Sequence, residues 1–513
     1  MSNHHHYDVI IIGSGAGGGT MFQALGATGK RVLLLERGEF LTREKENWSP
    51  VAVWGQHRYR NGGPYLDREG NPFAPKQHFY VGGNTKVYGA VLFRMRERDF
   101  GAVQHHGGVS PEWPLTYDDF EPWYTAAEHL YQVHGRHGVD PLDPWSSKDY
   151  PHPPISNEPR IQQLWDDLAA RGLRPFPLPM GVLLDEDSPN TSPCIRCDTC
   201  DGYPCLAKAK ADSQTICIEP ALAQYPNVAL RTNARVTHLE TDPTGRNVSK
   251  VVVDRLGRVE EYSADVVVLS AGAINSAALL LQSANDQHPD GLGNSSGVVG
   301  RNLMLHHNSA LIAFSKLPNP TLFQKTLGIN DFYYGDPEAT DGWEFPLGAM
   351  QMLGKQDASA FDGPDAAELA RHAVEFWITT EDLPSPDNRV TVEPDGRLRV
   401  AYSDTNAVAH QRLIDRWKGL LETMRCRDEY FEAGHYAGGR NTIEGVSHQN
   451  GTVRFGTDPA TSALDVNCKM HDVDNLYVVD SSFFCSSSAV NPTLTIIANA
   501  LRVAEQIDMR ISG

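Results

Sequence analysis

The 513-residue sequence contains no run of about eighteen apolar residues, so nothing in it reads as a membrane-spanning helix. Basic residues are few. Lys and Arg number 45 against 64 Asp and Glu, a formal charge of −19. Nucleic acid and anionic membranes require clustered Lys and Arg, so neither is expected as a partner. Internal repeats and low-complexity tracts are also absent. The first apolar strand begins near Tyr7, which leaves no room for a signal peptide and gives the reading of a soluble cytoplasmic enzyme. His4 to His6 are assigned no function. A composition of 40% hydrophobic and 21% charged residues is ordinary for a globular chain. At ~150 residues per unit, the length suggests about three domain-sized units.

The most informative stretch runs from Tyr7 to Gly38. Val9 to Ile12 is short, apolar and β-branched, as expected of a buried parallel strand. It leads into Gly13-Ser14-Gly15-Ala16-Gly17-Gly18, a G-x-G-x-x-G that opens a helix through about Gly26. Gly13 permits the tight turn, Gly15 lets the backbone approach a pyrophosphate, and Gly18 lets helix pack on strand. The helix N-terminus offers free N–H groups to phosphate. A second apolar run, Arg31 to Leu35, ends at Glu36. Glu36 lies 36 − 13 = 23 residues after Gly13, close to the ~20 expected for a carboxylate that binds a ribose. A bound ADP moiety follows.

Beyond Glu36, Trp48 to Lys76 is rich in Gly, Pro and aromatics and reads as a long loop, either a lid or a surface excursion. Gly82-Gly83-Asn84 allows close backbone approach to a flat ligand. Thr116 to Tyr131 has helical spacing with Thr116 as its cap. Strands are expected within Asn227 to Glu240, and a hairpin over 251–262. Asp265 to Ile274 reads as a second buried strand, ending in Ala271-Gly272, before a helix from Asn275 to Gln282. From Ala310 to about Val400 alternating strands predict an antiparallel sheet, interrupted by an aromatic loop over Leu327 to Phe345. Ala407 to Cys426 is helical in pattern. Asn475 to Asp480 forms a strand, and Asn491 caps a helix whose first residue is Pro492.

Cys194, Cys197, Cys200 and Cys205 are half of the eight cysteines, spaced C-x2-C-x2-C-x4-C. Thiolates so spaced can converge on a metal or iron–sulfur cluster. The ferredoxin run, however, has x3 before its last Cys and a Pro after it, and no zinc-ribbon partner set is present. A loop of reduced or partly paired thiols is therefore the favoured reading, with no metal assigned.

Taken together, the opening fingerprint, Gly82-Gly83-Asn84, Ser270-Ala271-Gly272-Ala273, Val299-Gly300-Arg301-Asn302-Leu303 and the terminal His448 and Asn491 resemble the glucose-methanol-choline family of flavoprotein oxidoreductases. A His–Asn pair, with Glu381 to Pro384 and Asn388 to Val390, is similar to the pyranose oxidase and bacterial glycoside 3-oxidase branch. The resemblance implies an α/β fold: a discontinuous Rossmann-like FAD domain (1–100, 190–305, 445–513), a helical and loop insertion (101–189), and an α+β substrate domain with an antiparallel sheet (306–444). It implies FAD, with Gly13, Gly15 and Gly18 at the pyrophosphate, Glu36 at the ribose, the Val236 backbone at adenine and Asp480 near the ribityl chain. Ser14, Ala16, Arg37, Gly82, Gly83, Asn84, Ala271, Asn491 and Thr493 complete that set. Residues 84–90 hold no histidine or cysteine, so the flavin is expected to be non-covalent. The implied reaction is oxidation of a secondary C3 or C2 hydroxyl of a pyranose or glycoside. His448 would be the base, its rate rising near the ordinary imidazole pKa of ~6.5, and Asn491 would orient the hydroxyl. O2 or another acceptor would take the electrons. The rival readings are a non-sugar alcohol oxidoreductase of the family, and an electron-relay or metal-binding flavoprotein subunit.

Overall fold

The computed structural model describes residues 5–423 and 436–512. Its central sheet is built on β1 (His5–Ile12), which runs parallel to β2 (Val32–Leu35) on one side. On its other side lies β3 (Arg258–Leu269), with Val9 opposite both Val32 and Val266. Val9, Ile10 and Ile11 are fully buried, because helices cover both faces of a parallel layer. Helix α1 (Ala16–Gly26) makes the crossover between β1 and β2. Val228–Arg231 extends the sheet beyond β2, and Leu476–Val478 pairs parallel with the end of β3.

One element is longer than its sequence suggests. The second arm of the 251–262 hairpin and the buried strand from Asp265 are a single strand, β3. Its first half pairs antiparallel with Val248–Arg255 and its second half parallel with β1. Ser263 and Ala264, which read as a break, are held in the ladder opposite His6 and Tyr7. Helix α2 (Ala273–Gln282) follows directly. The last helix, α3 (Thr493–Ser512), packs on α1 and begins one residue later than Pro492.

The antiparallel region forms two sheets. A six-stranded sheet takes, in order, Tyr436–Arg440, His307–Phe314, Ala373–Thr380, Ala349–Met352, Leu327–Ile329 and Phe176–Pro177. Leu327–Ile329 is thus a strand at the start of the expected aromatic loop. The strands Arg389–Val392 and Leu398–Ala401 leave this sheet and form a four-stranded sheet with Tyr65–Leu66 and Pro72–Phe73, Leu398–Ala401 lying beside Tyr65–Leu66. The stretch 48–76 is therefore anchored by backbone pairing, and it also contains a π-helical turn, Val51–Gly55.

Helix Tyr117–Leu130 is capped as expected, with Thr116 Oγ1 accepting from Asp119 N. Pro159–Ala169 shares a core with the six-stranded sheet through Ile161, Leu164 and Leu168, which pack with Phe376 and Trp417. This helix of the 101–189 stretch thus lays its apolar face against the sheet. Ala407–Thr423 packs there too; residues 424–426 of its expected span lie outside the described residues.

Candidate active site

A single cavity of about 720 Å³ runs between the C-terminal ends of the parallel strands and the six-stranded sheet. The glycine loop after β1 forms its floor. Gly13 has φ +98°, and a Cβ there would sit inside Ser270 O. A Cβ on Gly18 would strike Gly13 O, which is the close helix–strand contact expected of it. Gly15 differs from both: a Cβ there meets nothing within 4 Å and would project into open space. Gly83 (φ +55°) stands across from it, its Cβ position 3.1 Å from Gly15 Cα. The first N–H groups of α1 have no partner within the helix and face this space, a site made for an anionic phosphate.

The carboxylates expected at the cofactor are heavily engaged with protein. Glu36 accepts from Ser14 N (3.1 Å), Ser14 Oγ (2.5 Å) and Gly38 N (2.9 Å), and burial raises its pKa. Asp480, also raised by burial, accepts from Gly272 N (2.9 Å), Ser482 N (2.8 Å) and the hydroxyls of Ser276 and Ser482. Both line the cavity while bracing the loops around it. The Arg37 guanidinium stacks on Phe79, 3.8 Å from its centroid. Ala16, Val236, Ala271 and Thr493 line the cavity. Gly82 (φ +98°) makes the turn before Gly83, and Asn84 Oδ1 accepts from His78 N (2.9 Å).

His448 and Asn491 are both at the far end, under the six-stranded sheet. Met304–Leu305 pairs antiparallel with Gln449–Asn450, Leu305 opposite Gln449. One further step in that register sets His306 opposite His448, and their Nδ1 atoms lie 2.8 Å apart. His306 Nε2 lies 3.1 Å from the carbonyl of Ser487. Asn491 Oδ1 accepts from Gln351 Nε2 at 3.0 Å, which leaves its NH₂ for the cavity; because the helix begins at Thr493, Asn491 is not its cap as the sequence suggested, and its side chain is drawn into the site instead. Gln351, Trp377 and Ala310 lie abreast on three neighbouring strands and form the roof.

Positive charge surrounds this end. Lys76 lines the cavity with its ammonium 5.2 Å from the Trp54 ring centroid, and burial lowers its pKa. Lys325 Nζ binds Asp201 Oδ2 at 2.5 Å. Burial alone would raise Asp201, but Lys325 holds it below the usual carboxylate range. Burial first, with the charges of Lys76 and Lys325, presses the His448 pKa well below its ordinary value. His78 falls to about 4 through burial and Lys76.

Asp201 comes from inside the cysteine loop. Cys194, Cys197, Cys200 and Cys205 are all unpaired, and burial pushes Cys194 up to about 11 and Cys200 up to about 12. Among the described residues, no group of three or more His, Cys, Asp or Glu is arranged to hold a metal ion.

The GMC oxidoreductase family matches this sequence in two blocks, residues 8–308 and 381–500. The chain is a GMC oxidoreductase. The 6'''-hydroxyparomomycin C oxidase of Streptomyces lividus is 32% identical over 99% of this chain and 92% of its own. Paromamine 6'-oxidase of Streptomyces fradiae is 30% identical over 98% and 91%. Pyridoxine 4-oxidase from Mesorbium loti has the same fold, with a TM-score of 0.66, 19% identity and coverage of 98% and 99%. FAD is the cofactor of this GMC family, and the open space over Gly15, the free N–H groups of α1 and the length of the cavity fit it. No helix among the described residues is long and apolar enough to cross a membrane.

Sequence reading missed His306, Gln351, Lys76, Lys325 and Asp201. His306 carried the one usable signal, a His-His pair with two residues between it and the Val299 to Leu303 motif. The others reach the cavity only through tertiary packing.

Proposed function

We propose that this GMC oxidoreductase uses non-covalent FAD to oxidise a secondary hydroxyl, at C3 or C2, of a pyranose sugar or glycoside. The observation that carries this reading is the single cavity joining the glycine cradle to His448 and Asn491. When bound, FAD supplies the hydride acceptor. Gly13, Ser14, Gly15, Ala16 and Gly18 would hold its pyrophosphate, with Glu36 and Arg37 at the ribose and Val236 at the adenine. His448, neutral at pH 7, takes the hydroxyl proton, and the Asn491 NH₂ donates to the same oxygen and holds it in line. Lys76 and Lys325 favour the alkoxide character that develops as the proton leaves. Gln351, Asn308 and Trp377 give the roof a mixture of polar groups and one aromatic ring, which suits a sugar.

A second reading follows from the two Streptomyces relatives: the substrate is an aminoglycoside, oxidised at a 6' position as in the one or at a 6''' position as in the other. One experiment separates the two. The holoenzyme is mixed anaerobically with D-glucose, methyl β-D-glucopyranoside or paromamine, and the flavin bands are followed before air is admitted. Bleaching by either glucoside-type sugar supports the first reading. Bleaching by paromamine alone supports the second, and no bleaching by any of them removes sugars as the substrate class. Recovery of the bands in air identifies O2 as a competent acceptor.

A further inference from the structure

His448 can serve as a base at only one of its two ring nitrogens, and the layer behind it decides which. The Ser487 carbonyl can only accept, so the buried His306 must carry its proton on Nε2 to bond it at 3.1 Å. The Nδ1 of neutral His306 is then a lone pair. It lies 2.8 Å from His448 Nδ1, which must therefore be the donor. The hydrogen of His448 is thus committed to Nδ1, and its Nε2, which has no hydrogen-bond partner among the described residues, is left as a lone pair in the cavity.

We propose that His306 is a positioning residue that fixes His448 in the Nδ1–H tautomer and, being a neutral acceptor, keeps its basicity low. This rests on the reading of His448 as the base. A carboxylate in the same place would hold the ring equally well but would stabilise the protonated form. His306 offers no charge, so an imidazolium at His448 forms only transiently and readily returns its proton through Nε2. The other charged groups facing His448 are Lys76 and Lys325, the latter held by Asp201; those facing His306 are Glu381, Asp382 and His307.

Two measurements test this. ¹⁵N-histidine-labelled protein, with His448 assigned from a His448→Gln sample, should show protonated Nδ1 and bare Nε2 at pH 7, and a tautomer mixture in His306→Ala. Protonated Nε2 in the wild-type protein overturns the proposal, whatever the substrate proves to be. In the holoenzyme, anaerobic flavin reduction by whichever of the three sugars bleaches it is followed against pH. His306→Asn keeps an acceptor oxygen and should retain most of the rate with an unshifted acid limb. His306→Leu should slow reduction roughly tenfold or more, through loss of the reactive tautomer. His306→Asp should move the acid limb upward by about one pH unit or more, the effect of an adjacent opposite charge. An unshifted limb in His306→Asp also overturns the proposal. Failure of every sugar to bleach the flavin removes the substrate reading, while the tautomer measurement still stands on its own.

Discussion

His448 stays uncharged near neutrality because burial, Lys76 and Lys325 oppose a second proton there. Residue type alone places the acid limb of flavin reduction near ~6.5, the ordinary imidazole value. With a folded-state pKa below that value, the base form is already complete at pH 7. The rate should be flat through neutrality and fall only well to the acid side, as stopped-flow reduction across pH would show. His448→Ala should retain FAD while reduction slows by roughly 10²–10⁴-fold, the range for losing a general base. Asn491→Ala should slow it less, since Asn491 orients the hydroxyl without taking its proton. Wild-type reduction by His448→Ala with FAD bound would assign the base elsewhere.

At the scale of elements, the glycine loop and the Arg94 cluster make different demands on sequence. Gly13 and Gly15 look alike in the motif, yet only Gly13 is constrained by the protein itself. Gly13→Ala should destabilise the fold, because φ is +98° and the Cβ meets Ser270. Gly15→Ala should leave the melting temperature of the apoprotein unchanged and weaken FAD binding, because its Cβ enters only the space meant for the pyrophosphate. Equal loss of apoprotein stability in both variants would refute that distinction. Arg94 is wholly buried and makes two 2.7 Å bonds to Glu128, tying the segment before residue 96 to helix Tyr117–Leu130. Removing one partner strands a buried charge, so Arg94→Ala should cost about 3–5 kcal/mol in urea unfolding.

For the whole molecule, the expected mode of FAD attachment gives a simple prediction. Residues 84–90 hold no histidine or cysteine for a covalent link, so acid precipitation should leave the yellow chromophore in the supernatant. A yellow pellet would direct attention to His78, which lines the cavity. The parallel layer was legible because local signals suffice there: a buried strand, a glycine turn and a helix are each written in consecutive residues. The strands near 310–315, 349–352, 373–380, 389–392 and 398–401 were legible one by one, but Phe176–Pro177, Leu327–Ile329 and Tyr436–Arg440 were not, nor was the partition of the strands into two sheets. Alternation marks a strand and carries no information about its partner, so the pairing of Leu398–Ala401 with Tyr65–Leu66 left no trace. His448 and Asn491 were found through motif resemblance. His306 and Gln351 act through contacts 142 and 140 residues distant in sequence, which no local pattern encodes.

The ladder that ends at Leu305 and resumes at Gln449 has a further consequence. The chain departs after His306 and comes back at His448, so everything between is an excursion whose two ends already touch. Closing such an excursion depends only weakly on its length. The roof over the substrate can then be treated as a cassette: exchanged, lengthened or trimmed between those two histidines, it would alter what is recognised while leaving the proton-accepting pair where it stands. A chimera carrying another relative's 307–447 segment on this frame, with Lys325 and the Gln351 that bonds Asn491 kept, would be a direct way to transplant specificity.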